Sequence, residues 1–274
     1  MRGPVRVVHL GDVCTLHDEF EIVFLAFKAY DTAWACHFIE PYLAPNGLLV
    51  GTQNAMTADL IAEIFGPDRT LGGVVELGSQ VSEPGVVLRN TERAKSWFGV
   101  GSLGGSTAGR EEKITELLGN VGRAEVVPDV LSVKWMKLTV NAMMLAPVAM
   151  LGLANNEAVE VPGMREVMLR LGREAMEAGE SLGYSTVPIK GLGPEDLVDR
   201  ESVPEVLLDE MHAALRPGGH NTVLMDHLNG RRSEAALTNG LVAEELARRG
   251  AEATVNAAIG EIETAVTNLD LIQV

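Results

Sequence analysis

Basic residues are scarce in this chain of 274: 22 Lys and Arg face 38 Asp and Glu, a formal charge of −16. So acidic a surface repels nucleic-acid phosphate and anionic lipid, so no nucleic acid and no membrane is expected as a bulk partner. Cysteine is rarer still. Cys14 and Cys36 are too few for a disulfide framework, and both are expected as reduced, buried thiols. Long hydrophobic runs are missing too. The start, Met1-Arg-Gly-Pro-Val-Arg, lacks the apolar stretch of a signal peptide. The most apolar region, Leu138 to Ala154, is broken by Asn141 and Pro147 and falls short of the ~20 residues of a span. A soluble, cytoplasmic protein is therefore expected. Several catalytic motifs are also absent: there is no G-x-S-x-G elbow, no H-E-x-x-H and no P-loop. The six histidines are scattered, and no metal site is expected.

What is present is an ordinary globular balance, 46% hydrophobic and 22% charged. The length predicts one large domain or two modest ones. To about Val127 the pattern is strand, helix, strand: Glu21–Phe27, a helix over Asp31–Leu43, a turn at Pro45-Asn-Gly, Leu48–Thr52, and a helix over Ala58–Phe65. Short apolar runs in that rhythm predict a parallel sheet with crossover helices. Gly73–Leu77, Gly85–Arg89 and Ser96–Val100 then read as added antiparallel strands, before a helix at Glu111–Leu118 and a strand at Ala124–Val127. From Pro128 the chain reads as all-helical, with helices to about Met150, over Glu157–Leu182 and over Pro204–Leu215. The expected fold is thus α/β: a partial Rossmann-like sheet over 1–127, followed by an all-helical domain over 128–274.

Three segments carry chemistry-capable residues. Lys137 and Asn141 are one turn apart on a strongly apolar helix. A lysine partly buried there has a lowered pKa and delivers a proton near neutral pH; its alternative is a lysine snorkelling to solvent. Thr222 and Asp226 share one face of a second helix, followed by Gly230-Arg-Arg-Ser-Glu234, with Asp226 paired to Arg231 or Arg232 in the bland alternative. Lys28 and Gln53-Asn54 directly follow the first two strands, where open α/β sheets bind ligands. Gly99-Val-Gly101-Ser-Leu-Gly104 satisfies the dinucleotide fingerprint, with Glu125 roughly twenty residues on as the ribose acid. Its helix starts too late, however, so a hairpin loop competes with a cofactor loop.

Taken in order, Leu25-Ala-Phe-Lys28-Ala-Tyr-Asp-Thr, Gln53-Asn54, Trp135-Met-Lys137-Leu-Thr-Val-Asn141, Thr222-x-x-x-Asp226, Gly230-Arg-Arg-Ser-Glu234 and Asn239-Gly240 resemble the ketopantoate reductase family. The resemblance implies an NADPH-dependent reduction of a 2-oxo acid, such as 2-dehydropantoate, to a 2-hydroxy acid in pantothenate biosynthesis. It also allows a homodimer. Lys137 matches the proton donor, Asn141 and Asn155 match substrate-binding asparagines, and Thr222 stands where a serine binds substrate. Lys28, Asn54 and Glu234 match residues on the cofactor side of the cleft. Two departures stand out: Leu145 replaces an expected asparagine, and Asn54-Ala55 replaces Asn-Gly.

The family opens with a strand, G-x-G-x-x-G and a helix, and Val5–Leu10 cannot supply that loop, so the first domain is expected to be incomplete. Two other readings follow from that: a cofactor-less or truncated relative that binds or dimerises, and another 2-oxo or 3-hydroxy acid dehydrogenase.

Overall fold

A computed structural model describes residues 5–83, 85–105, 107, 109–189 and 192–268. Among the described residues there are seven strands: β1 Phe20–Leu25, β2 Leu43–Gly51, β3 Thr70–Glu76, β4 Ser79–Glu83, β5 Val86–Arg89, β6 Trp97–Ser102 and β7 Arg123–Val126. Five of them make one sheet in the order β1-β2-β3-β6-β7. β1, β2 and β3 run parallel, joined by α1 (Thr32–Ile39) and α2 (Ala58–Phe65). β6 pairs antiparallel with β3, and α3 (Arg110–Gly119) returns the chain to β7, parallel to β6. Leu48–Gly51 is buried throughout, as a strand covered on both faces must be. One face packs Leu25, Leu49, Cys36, Ile61 and Phe65, and the other Leu48, Val50, Leu71, Val100 and Ile114.

The sequence reading needs correcting in this half. Pro45-Asn-Gly is no turn between elements; it lies inside β2. Pairing jumps from Phe20↔Leu43 to Ile22↔Leu48, a bulge that accommodates a proline with no ladder hydrogen bond to give. Arg69 fastens this bulge through the carbonyls of Ala44 (3.0 Å) and Gly47 (3.2 Å). Gly73–Glu76 pairs antiparallel with β6 as expected, but it continues β3, whose first residues Thr70–Gly72 pair parallel with β2, and Val86–Arg89 pairs antiparallel with β4 in a separate ribbon. Of the two thiols only Cys36 is buried; Cys14 is exposed. Burial pushes the Cys36 thiol up to about 11.

The rest of the described chain is helical: α4 Val130–Met144, α5 Ala146–Ala149, α6 Asn155–Ala158, α7 Met164–Ser181, α8 Val203–Ala214, α9 Thr222–Leu228, α10 Asn239–Ala247 and α11 Thr254–Asn268. The long helix expected to reach Met150 breaks at Leu145, where Pro147 begins a new short turn. The helix expected from Glu157 starts at Met164.

α4 positions the site. Asp129 caps it by accepting from the Ser132 amide (3.1 Å), and of its fifteen residues all but Leu131 and Lys137 are buried. A helix apolar on all sides belongs inside, and α4 packs between the sheet and α7. Trp135 lies so close to α7 that a Cβ on Gly179 would come within 2.2 Å of its indole nitrogen, which donates to the Ala175 carbonyl at 2.8 Å. Only glycine admits that approach.

Candidate active site

The carboxyl ends of β1, β2 and β3 meet the helical part along α4 and α9. Two polar clusters form there. In the first, Lys137 Nζ donates to Glu76 Oε1 at 2.7 Å, its side chain 15% exposed. Asn141, one turn on, donates from Nδ2 to Asn54 Oδ1 at 3.3 Å. One turn before Lys137, the ammonium of Lys134 donates to the carbonyls of Gln53 (3.0 Å) and Gly73 (3.3 Å). Lys134, Lys137, Asn54, Ala55 and Gly73 line a pocket of ≈ 10 Å³, room for about one water.

In the second cluster Lys28, following β1, reaches across to the helical part. It donates to Thr222 Oγ1 at 3.0 Å and to Asp226 Oδ2, and lies 3.7 Å from Glu234 Oε2. Glu234 Oε1 accepts from the Ala29 amide at 2.7 Å. Gln53 Nε2 donates to Thr32 Oγ1 (2.9 Å), and Thr32 donates to the Ala29 carbonyl (2.7 Å), linking the two clusters. Asn221 caps α9 by accepting from the Val223 and Leu224 amides, and its Nδ2 donates to the Leu145 carbonyl at 3.0 Å. That ties the end of α4 to the helix that presents Thr222.

The structure thus groups Lys137, Asn141 and Asn54, and separately Lys28, Thr222 and Glu234. Asn155 stands apart. Its amide donates to the Gly219 carbonyl at 2.8 Å, in the loop leading to Asn221, and its buried Oδ1 has no hydrogen-bond partner among the described residues. Leu145 packs against Ala149, Val223 and Leu224.

Several details differ from expectation. Asp226 pairs with Lys28, not with Arg231 or Arg232. Glu234 precedes a single 3-10 turn (Ala235–Leu237) that leads into α10. Burial also pulls the pKa of Lys134, one turn before Lys137, down to about 8. Glu76 and Lys134 were not singled out, although a lone carboxylate in the apolar run Gly73–Leu77 was a usable signal. In the Gly99–Gly104 run, Gly99 and Gly101 lie within β6, and a Cβ on Gly101 would come within 2.5 Å of the Val127 carbonyl. β6 runs against β3, so that loop leaves the sheet at the edge opposite Lys28 and Asn54. Glu125 accepts from Trp97 Nε1 (2.6 Å) and Arg123 (2.8 Å), a structural role. Among the described residues no group of three or more His, Cys, Asp or Glu is arranged to hold a metal ion, and no helix is long and apolar enough to cross a membrane.

Comparison with known proteins adds to this geometry. The family model described as ketopantoate reductase PanE/ApbA matches residues 7–102, and the model of its C-terminal part matches 129–266. The 2-dehydropantoate 2-reductase of Pyrococcus horikoshii is 23% identical over 242 residues, which are 86% of this chain and 72% of that protein. A PanE/ApbA family ketopantoate reductase from Ralstonia eutropha JMP134 superposes with a TM-score of 0.75 at 18% identity, covering 90% of this chain and 76% of its own. A D-mandelate dehydrogenase solved with NADH and anilino(oxo)acetate gives 0.77 at 16% identity, covering 94% and 79%. At these identities the structural likeness speaks for the fold alone.

Proposed function

The chain belongs to the ketopantoate reductase family, and from that premise we propose that it reduces a 2-oxo acid to a 2-hydroxy acid with NADPH, using Lys137 as proton donor. The observation that carries the reading is the placement of Lys137. Its ammonium is mostly buried on the wall of a cleft pocket, one turn from an asparagine that reaches across to the β2 strand end.

The nucleotide's reactive end is the part that the residues present fit. Lys28 and Asn54 follow β1 and β2 at the sheet edge where open α/β folds bind nucleotides, and Glu234 holds the Ala29 amide beside them. We assign these three to the cofactor side, and no pyrophosphate cradle to the Gly99–Gly104 run. Bound there, the dihydronicotinamide supplies the hydride. Charge then develops on the carbonyl oxygen, and the Lys137 ammonium stabilises it and gives up a proton to it. Glu76 orients that ammonium from behind, through the 2.7 Å contact with Lys137 Nζ. Asn141 and Thr222 fix the substrate through neutral hydrogen bonds, adding no charge to the site. Asn155 offers its unpartnered oxygen as a further acceptor. In this reading residues up to Val127 form the nucleotide side of the cleft and the helices from Asp129 the substrate side, in a cytoplasmic homodimer. The Leu145 side chain, packed among apolar neighbours, offers no hydrogen bond where the family resemblance expects an amide. That favours, as a second reading, a 2-oxo acid with a less polar tail than 2-dehydropantoate.

The test is a panel of 2-oxo acids, 2-dehydropantoate and apolar analogues included, assayed with NADPH and with NADH while nucleotide binding is followed by fluorescence. Turnover with saturable NADPH binding is expected. Absence of both would remove the reductase reading for this chain.

A further inference from the structure

Lys134 is 4% exposed and lies in the middle of a buried helix, and its partners are two backbone carbonyls. Taking an ammonium out of water costs several kcal/mol, and carbonyl dipoles return less of that than a carboxylate does. A methionine of similar length would suit the surroundings better on stability grounds alone. What the lysine does accomplish is geometric. The two carbonyls belong to the carboxyl ends of different strands, Gln53 just after β2 and Gly73 within β3, and α4 carries the ammonium between them. Asn54 follows one of these carbonyls directly and Glu76 lies three residues past the other. Each contacts a residue further along the same helix, Asn141 and Lys137 respectively. The ammonium also lines the same small pocket as Lys137.

Resting on the reductase reading above, we propose that Lys134 is a positioning residue: it pins the ends of β2 and β3 to α4, setting Asn54 and Lys137 in register, and it adds a second positive charge to the pocket wall that an anionic 2-oxo acid meets. The charged groups on its side of the pocket are Lys137 from its own helix, paired with Glu76 from β3, and Asp59 from α2, whose pKa is raised by desolvation and by Glu63. Burial lowers Lys134 to about 8, with Asp59 opposing that shift. The charge is therefore present at neutral pH and is lost as pH rises through that value. The neutral amine still donates to both carbonyls, so alkaline pH removes the charge and leaves the pinning.

The experiment compares wild type with Lys134→Met between about pH 6.5 and 9.5, a window that brackets the group's lowered value. In wild type, the KM for the 2-oxo acid is expected to rise about tenfold above pH 8, with kcat changing less. In Lys134→Met, the KM is high and flat, at an unchanged or higher melting temperature. Backbone hydrogen exchange supplies a readout free of turnover: residues 53–57 and 74–76 exchange at least about tenfold faster in the variant, as expected when a buried anchor is lost. If wild type reduces no 2-oxo acid, the reductase reading falls and the exchange result alone decides the positioning role. Unchanged exchange, or a KM profile identical in the two proteins, overturns the proposal. Should Lys134→Met not fold, Lys134→Gln is read by the same criteria.

Discussion

Two hollows in this molecule make opposite bargains. The groove between α10 and α11 is roomy, ≈ 530 Å³, and its walls are small side chains such as Gly240, Ala243, Ala257 and Gly260, with Glu244 and Glu261 lying in solvent. The pocket at the strand ends has space for about one water, ≈ 10 Å³, yet two lysines and an asparagine converge on it. Volume locates the first and chemistry the second. A hollow lined by exposed charge and alanine costs the fold little to keep. The small pocket is kept although it holds a fully buried ammonium and a buried ion pair, arrangements that apolar residues of similar size match or better in stability. Where a fold retains such groups, function is the stronger explanation.

The largest effect that sharpens this contrast is at Lys137. Lys137→Ala is expected to lower kcat by about 10²–10⁴, the usual contribution of a placed general acid, while NADPH affinity stays nearly intact. Because the substitution leaves Glu76 buried opposite a gap, Lys137→Ala with Glu76→Gln is measured beside it, and melting temperatures show that both fold. Unaltered turnover would refute the acid role. Next comes Glu234→Ala. The Ala29 amide loses its acceptor and Lys28 one of its carboxylates, so nucleotide affinity falls about tenfold and stability by ~1–3 kcal/mol. A titration with the wild-type midpoint would reject Glu234 as a cofactor-side group.

Much of this arrangement was legible in the sequence. Apolar runs of strand length gave the sheet, and the residues following them, Lys28 and Asn54, stand at the cleft because strand ends must open somewhere. Spacing of four put Lys137 with Asn141 and Thr222 with Asp226, each pair on one helix face. What spacing could not convey is the partner across space. Nothing local joins Lys28 to Asp226 or Lys137 to Glu76, residues 198 and 61 positions apart. Nor does pattern alone tell which lysine of Lys134-Trp-Met-Lys137 lies deeper. On a helix buried on nearly every side, both look equally misplaced, and only the packing of α4 against β3 decides. The proline inside β2 was misread for a related reason, since a bulge is defined by the neighbouring strand.

A smaller effect is expected beside the same pocket. Ala55 has φ +62°, the left-handed region in which a side chain costs ~1–2 kcal/mol, and it occupies the position where the family resemblance expects glycine. Ala55→Gly should raise stability by about 1 kcal/mol, the relieved strain being partly offset by the greater freedom of the unfolded chain. Chemical denaturation checks this. A loss of stability would mean that the Ala55 methyl group, 6% exposed, packs more favourably than its backbone is strained.

The smallest expected effect tests the contrast from its other side. Ala243→Leu adds three carbons to the wall of the roomy groove, on a helix where leucine is nearly as favourable as alanine. Stability should move by no more than about 0.5 kcal/mol, as for most partly exposed positions away from buried features. Neither kcat nor the KM for either substrate should change, because the groove and the strand-end pocket share no lining residue and Asn239 of α10 donates to the Ala142 carbonyl (3.0 Å), a backbone group behind the reacting side chains. If this substitution lowers turnover tenfold in a protein that still melts normally, substrate enters by the large groove, and the charged pocket at the strand ends is a structural feature of the fold.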